Sequence, residues 1–424
     1  MAGMNYASNA MNKVAFSCLI CISSTAFAQT PTQSPVEPTL KSVVVSAPSA
    51  RQQIEIGGMQ QPLNQAPLSA TVISSEQIKE TGAQRLSDLY KLDASVSDAY
   101  NAVGYIDYAT VRGFVIDNKT NIRRDGLPIS GDTAIGLANK DRIEILRGTS
   151  GLQAGTSAPG GLMNYIVKRP TAKPLRQLGF SVDSNGQFGA SVDLGGRFGA
   201  ENAQGYRLNF AANRLNSTAP QTRGSRQMLA LALDSRMGSN GLLEAEIEWS
   251  KQSQPNVPGL SLLGAGAVLP QPDPKLNLNR QAWSQPTVFE GLTGSLRYTH
   301  ALSDQWQWSA HLGSQRLKTD DRIAFPFGCT DSNGIDYYAD RFCPNGDVDV
   351  YDFRSEGERR RKQATQFKLD GSFATGNVSH DISLGFLQSA ARVKTPDQVF
   401  NGPIGSLNLS NPVLPLTANP QPAL

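Results

Sequence analysis

Side chains able to do covalent or metal chemistry are sparse in this 424-residue chain. The three histidines, His300, His311 and His380, stand apart, and none belongs to an H-E-x-x-H pair that would hold zinc. No G-x-S-x-G nucleophile turn and no phosphate-binding P-loop occurs. Gly264-Ala265-Gly266 sits in a proline-rich run with no helix behind it, so it reads as a turn. Cys329 and Cys343 lie among Asp331, Asp336, Asp340, Asp347, Asp349 and Asp352, whose oxygens suit calcium. The EF-hand spacing is missing, and a solvated loop is the better reading. None of the histidines is spaced as a metal ligand with those cysteines. Enzyme chemistry and a resident metal or cofactor are therefore not expected.

The N-terminus sets the compartment. Lys13, an apolar run from Val14 to Ala26, and Ala26-Phe27-Ala28 before Gln29 have the order of a secretory signal with its cleavage site, assigned to residues 1–28. Initiation at Met1, Met4 or Met11 fits equally. Cys18 and Cys21 leave with that signal, so Cys329 and Cys343 remain in an exported protein, where one local disulfide is expected. Lys and Arg total 39 against 36 Asp and Glu, and no basic run of the kind that grips nucleic acid is present. After the signal no apolar stretch is long enough for a membrane-spanning helix. Barrel strands are not excluded, because they bury only alternate side chains.

Residues 29–51 mix Pro, Ser and Thr around one β-prone island, Val43, Val44, Val45, Ser46 and Ala47, and read as a mobile tether carrying a strand that needs a partner. Residues 52–171 read as a compact mixed α/β body. Ser74 and Gln77 form a capping box for a helix that Gly82 ends, and Leu86, Leu89 and Tyr90 give a second helical turn an apolar face. Short strands are expected at 70–74, 109–111, 142–146 and 162–167. From about residue 176 the period becomes two: Leu243, Ala245, Ile247 and Trp249 alternate with Glu244, Glu246 and Glu248, and similar runs recur to Phe386. Short links near 197–204, 235–240, 301–304 and 374–379 interleave with long ones near 214–224, 252–289 and 317–362. That asymmetry is the habit of an outer-membrane barrel, with Trp249, Tyr298 and Trp306 suited to its interfacial girdles.

Between these regions runs RGTSGLQAGTSAPGGLMNYIVKRP, residues 147–170, a Gly-rich turn run leading into a short apolar strand. Taken with Arg112-Gly113-Phe114 and Asp125-Gly126, it resembles the plug domain of TonB-dependent outer-membrane receptors, in particular the ferric-siderophore (ferrichrome-type) transporters. The resemblance implies a mixed α/β plug followed, over 176–424, by part of an antiparallel transmembrane β-barrel that has 22 strands in such transporters. It makes Val43 to Ala47 the TonB box, which a periplasmic energy-coupling protein binds by strand addition. The 29 to about 40 stretch is too short for the extra domain of receptors that also signal. Two plug loops are expected to face outward, one with Tyr100, Tyr105 and Tyr108, the other with Asn118 and Lys119. The rings would stack on a chelate and Lys119 would neutralise an anionic one, with iron present only inside a bound siderophore. Arg112, Arg142 and Arg147 are expected to hold the plug by pairing with inward-facing barrel glutamates. Gly113, Gly126, Gly148, Gly155, Gly160 and Gly161 would permit positive φ or close backbone approach, and Phe114 completes the first motif. After Gly148 the chain departs from the usual proline-containing run.

About nine strands are expected here, well under a full barrel, and an open edge facing lipid costs several kcal/mol per unpaired group. An N-terminal fragment or truncated gene product of a longer receptor is therefore expected. Haem, cobalamin or a saccharide are the other ligands such transporters take. A surface adhesin or docking barrel without transport, and an inactive truncated receptor, are the alternatives of other kinds.

Overall fold

The computed structural model describes residues 54–55, 69–148, 157, 159–259, 262–263, 273, 275–330, 334, 337–339, 341–416 and 420. The signal at 1–28, the tether at 29–51 with Val43 to Ala47, and Gly151 and Gly155 lie outside the described residues.

Short strands, several of them buried on both faces, build the first part of the chain. Strand β1 (Ser69–Ser74) runs into helix α1 (Ser75–Glu80), whose start is held reciprocally: the Gln77 amide donates to Ser74 Oγ at 3.3 Å and the Ser74 amide to Gln77 Oε1 at 2.9 Å. A 3₁₀ turn, Leu86–Leu92, buries Leu86, Leu89 and Tyr90. There follow β2 (Val96–Tyr100), β3 (Tyr108–Val111), β4 (Phe114–Val115), β5 (Ile122–Arg124), β6 (Leu127–Pro128), β7 (Lys140–Arg147) and β8 (Gly161–Val167). They form a sheet ordered β1-β7-β8-β5-β6 and a small one ordered β2-β3-β4. Ile73, Leu89, Val111, Ile143, Ile145 and Met163 pack between them as one apolar core. Arg112-Gly113 and Asp125-Gly126 have positive φ at both positions, which is what two-residue hairpin turns require. At Gly161 a Cβ would stand 2.0 Å from the Leu146 carbonyl oxygen, so only glycine lets β7 and β8 meet there.

The second part is a single curved antiparallel sheet. Its strands are β9 (Leu175–Val182), β10 (Phe188–Phe198), β11 (Gln204–Leu215), β12 (Gly224–Met237) and β13 (Gly241–Gln254). After β14 (Leu262–Leu263), a two-residue strand within a connection, come β15 (Thr287–Ala301) and β16 (Trp306–Pro326). Three further short pieces, β17 (Cys329–Thr330), β18 (Tyr337–Tyr338) and β19 (Arg341–Phe342), precede β20 (Asp347–Thr375), β21 (Val378–Lys394) and β22 (Val399–Asn408). The order is β9-β10-β11-β12-β13-β15-β16-β20-β21, with β22 beside the first residues of β20. Among the described residues β9 and β21 do not pair with each other. The outer face carries exposed Phe180, Phe210, Leu229, Ile247, Leu296, Phe367 and Phe386, while Asp193, Asn209, Glu246, Glu248, His311 and Gln315 are buried on the inner face. Water-facing sheets are arranged the other way round, so the outer solvent of this one is hydrocarbon.

Ten strands form this sheet, one more than expected. The extra one is β22, concealed in a run containing Gly402-Pro403. The long links are also shorter than the sequence suggests, because β16 and β20 continue as a polar hairpin. In RSEGERRRKQ, residues 354–363, no apolar side chain alternates, although the backbone stays extended. Period two fails where no face meets hydrocarbon. The tight links at 199–203, 238–240, 302–305 and 376–377 all lie at one end, and the long ones at 216–223, 255–286 and 327–346 at the other.

Candidate ligand site and the interface behind it

The β2–β3 connection carries three tyrosines to the end of the α/β body that faces the long links. Tyr100 meets Tyr105 with ring centroids 6.4 Å apart and Tyr108 at 6.3 Å, and Tyr105 packs edge-on against Phe289 of β15 at 5.8 Å. Wall and body are stitched together here: the Val257 amide donates to the Val103 carbonyl at 2.9 Å, and the Gly259 amide to Tyr100 Oη at 3.1 Å. Arg85 holds the connection from below through Asp107, donating from Nε at 2.7 Å. Burial raises all three phenol pKa values; at Tyr100 the Gly259 hydrogen bond works against it, at Tyr105 Asp321 adds to it, and Tyr108 is pushed up to about 12 by burial and then Asp132. The tyrosines are thus neutral donors. Beyond them, Asp321, Ile323 and Phe325 share one face of β16 and pair with Ser355, Phe353 and Tyr351 of β20. The aromatic surface continues up that face through Phe327 and Phe400, with Tyr351 stacked on Phe400 at 4.6 Å.

Behind this apex the body is held by buried charge. Arg124 of β5 reaches Glu246 at 2.6 Å and Glu248 at 2.7 Å, and Lys140 Nζ donates to Glu248 at 2.8 Å. Burial opposes the charge on Arg124, but the two glutamates outweigh it and raise its pKa. Lys168 pairs with Asp193 at 3.0 Å, and Arg169 with Asp125 at 3.1 Å and Glu244 at 3.5 Å. Glutamates at alternate positions of β13 therefore form a ladder that the body's cations dock onto.

The residues entering the body are anchored as well. Ile54, 1% exposed, packs on Leu146 and Leu162. The Glu55 amide donates to both oxygens of buried Glu144 at 3.1 Å, and its carboxylate accepts from Arg297 Nη2 of the wall at 3.3 Å. Ile54 and Glu55 are thus tied to both parts at once.

Residues 62–162 match the family described as TonB-dependent Receptor Plug Domain. Over those residues the chain is similar to a TonB-dependent receptor plug. Around that plug, the chain is 23% identical to the ferrichrome outer membrane transporter/phage receptor of Escherichia coli K12, over 83% of its own length and 49% of the relative's. It is 30% identical to the catecholate siderophore receptor Fiu of the same organism over 39% of its length and 23% of the relative's. The closed form of the ferric-catecholate import receptor Fiu from E. coli K12 superposes with a TM-score of 0.72 at 20% identity, covering 87% of this chain and 53% of that one. The chain spans about half the length of the ferrichrome relatives it matches, 49% and 43%.

Within the plug, the three tyrosines come together, but Asn118 and Lys119 part from them. Asn118 is 5% exposed and donates from Nδ2 to the Asp107 carbonyl at 3.2 Å, so its side chain braces the loop. Lys119 is exposed; its amide donates to Asp117 Oδ1 at 2.8 Å, and its carbonyl accepts from Lys362 of the wall. Neither Asp117 nor Glu244 forms an ion pair with Lys119 among the described residues. The expected plug-holding arginines do not meet barrel glutamates. Arg112 is exposed and reaches Ser69 Oγ, Arg147 binds Thr71 and lies 3.8 Å from Asp93, and Arg142 binds Glu144, all inside the plug. Arg124, Lys140, Lys168 and Arg169 do that work instead. Their sequence signal was Lys168-Arg169 at the plug exit and Arg123-Arg124 before a turn, opposite glutamates spaced by two. Gly148 and Gly161 have positive φ, and the amide of Gly148 donates to the Gly160 carbonyl at 2.9 Å, joining the end of β7 to the start of β8. Phe114 is half exposed at the end of its hairpin.

Cys329 and Cys343 are joined by a disulfide, with Cα atoms 5.5 Å apart. Of the nearby acids, Asp347 accepts from Asn408, Asp349 from the Thr330 amide and Asp352 from Arg354, so they brace the loop. A cavity of about 660 Å³ lies elsewhere, between α1 and the inner faces of β9 to β11, and none of the tyrosines lines it.

Proposed function

We propose that this chain acts as a TonB-dependent outer-membrane receptor that binds and imports a ferric siderophore. The observation that carries the reading is the aromatic apex of the plug, turned toward the long links and set against a wall that is apolar outside and polar inside. Relatives named as ferrichrome and catecholate siderophore receptors support a chelate as cargo. Tyr100, Tyr105 and Tyr108 receive the chelate, with buried Phe289 packed behind Tyr105; lipid surrounds the wall, and iron arrives only inside the ligand. Work enters through Val43, Val44, Val45, Ser46 and Ala47, bound by a TonB-type partner as an added strand. Six residues separate Ala47 from Ile54, so a pull on the tether is delivered first to the Glu55 contacts with Glu144 and Arg297.

Deleting Val43 to Ala47 separates the parts of this reading. Iron uptake from a ferric siderophore in cells should stop while equilibrium binding, followed by quenching of intrinsic fluorescence, persists. Uptake that continues at the original rate would remove energised import, and failure of the intact chain to bind any ferric chelate would remove the receptor itself.

A further inference from the structure

The tyrosine connection hangs from the wall at a main-chain contact, and one asparagine of the wall holds that contact in place. Gly104, between Tyr100 and Tyr105, has positive φ, and a Cβ there would overlap the Pro255 carbonyl oxygen, so the connection and the start of link 255–286 touch main chain to main chain. Beside it the Val257 amide reaches the Val103 carbonyl at 2.9 Å, and the Gly259 amide reaches Tyr100 Oη at 3.1 Å. Asn279, 4% exposed and near the other end of the same link, supports this stretch from behind. Its Nδ2 donates to the Asn256 carbonyl at 2.7 Å, and its Oδ1 accepts from the Ala324 amide of β16 at 2.7 Å. Asn279 is itself fixed, because Leu278 before it shares an apolar core with Ala324 and Val350, and its own amide donates to Asn277 Oδ1 at 3.1 Å. A continuous path of bonds thus leads from β16 through Asn279, Asn256 and Val257 to Val103 and Tyr100.

Building on the receptor reading, we propose that Asn279 is a positioning residue for the chelate site: it touches no ligand, and it places Tyr100 by holding Asn256 and Val257 against the plug. Tyr100 meets both Tyr105 and Tyr108, so its placement sets the other two rings as well. The role needs a donor and an acceptor on one short side chain, which asparagine supplies and a carboxylate or an apolar group does not. Without the donor nothing ties Asn256 to β16, and the tyrosine connection loses its reference to the wall. A binding site whose supporting shell is loosened keeps its residues and loses affinity.

The test follows quenching of intrinsic fluorescence on the full chain in detergent with two probes, the ferric complexes of a cyclic tris-hydroxamate and of a tripodal tris-catecholamide; whichever the native chain binds is carried forward. Asn279→Ala should weaken binding roughly tenfold. Gly104→Ala, which pushes the two main chains apart from the plug side, should do at least as much. Asn216→Ala removes a staple of another long link, from Nδ2 to the Asn185 carbonyl at 2.7 Å, and should leave affinity unchanged. Asn279→Ala also strands the buried Ala324 amide, so a fall in stability does not decide the matter. A double-mutant cycle with Tyr100→Ala does. A residue that acts through Tyr100 loses most of its effect once that ring is gone, so Asn279→Ala should then cost less than about threefold, whereas a purely structural loss stays tenfold in both backgrounds. Gly104→Ala carries the same cycle if Asn279→Ala does not fold. Unchanged affinity in these variants, or an equal loss with and without Tyr100, overturns the proposal. If the native chain binds neither probe, the receptor reading falls and this inference with it.

Discussion

In the plug, Ile73, Val111, Ile143 and Met163 are sealed inside, and charged side chains reach its surface; in the wall around it, Phe180 is 76% exposed while Glu248 is 5% exposed. Both regions are β-rich and belong to one chain, yet they sort side chains in opposite senses. The hydrophobic effect acts alike in each, and only the surroundings differ. The plug hides apolar groups from water, whereas the wall turns them toward hydrocarbon and hides polar groups against the plug. Where the two meet, neither an apolar core nor water is on offer. Arg124, Lys140 and Lys168 there meet Glu246, Glu248 and Asp193 as buried pairs, and Arg169 meets Glu244 partly buried.

The largest effect should follow from breaking that meeting surface. Arg124→Ala leaves Glu246 and Glu248 with less compensation and should cost about 3–5 kcal/mol, read as a lower urea midpoint for protection of the plug from chymotrypsin; an unshifted midpoint would show that the cluster does not dock it. On the opposite face, Ile247→Arg should cost about 2–4 kcal/mol in lipid bilayers, measured by urea titration of tryptophan emission. The same substitution on a water-facing strand stays within about 0.5 kcal/mol, so a neutral result contradicts a hydrocarbon-facing wall. At the apex, Tyr105→Ala should weaken ferric-chelate binding roughly tenfold with the unfolding curve unchanged, and an unaltered binding isotherm would move the ligand site elsewhere.

Acid probes the interface without mutation. Burial works against ionised Asp125, but Arg169, Arg297 and Arg124 outweigh it and draw its pKa below the ordinary 3.8. A depressed carboxylate contributes stability that is fully present above its unfolded pKa and is lost as pH falls through the folded value. Protease protection of the plug should therefore hold from neutral pH down to about 4 and fade only in stronger acid; fading already between about pH 7 and 5 would rule Asp125 out as a contributor. The smallest effect is at the tether. Glu55→Ala removes a part-exposed pair worth at most about 1 kcal/mol, and should speed tryptic cleavage after Arg51 a few-fold; equal rates would mean that Glu144 alone holds the entry.

Much of the architecture was legible before any fold was seen. The capping box at Ser74, positive φ at Gly113 and Gly126, and the alternation of Glu244, Glu246 and Glu248 with apolar neighbours are local signals, and each is found where its spacing predicts. The upper halves of β16 and β20 were not legible, because a strand pair with no hydrocarbon-facing side shows no alternation. Nor was Phe289, which meets Tyr105 from 184 residues away in the chain.

What the amino-acid order determined by itself is everything set within a turn or a strand: period, caps, hairpins, and the motif spacing of a plug. Tertiary structure alone decided which cations hold that plug. Arg112, Arg142 and Arg147 have the same chemistry as Arg124 and Arg169, and what distinguishes them is the direction in which short strands point them. Arg124 finds Glu246 across 122 residues of sequence, and a choice made at that range is fixed by packing two surfaces together, which no local preference encodes.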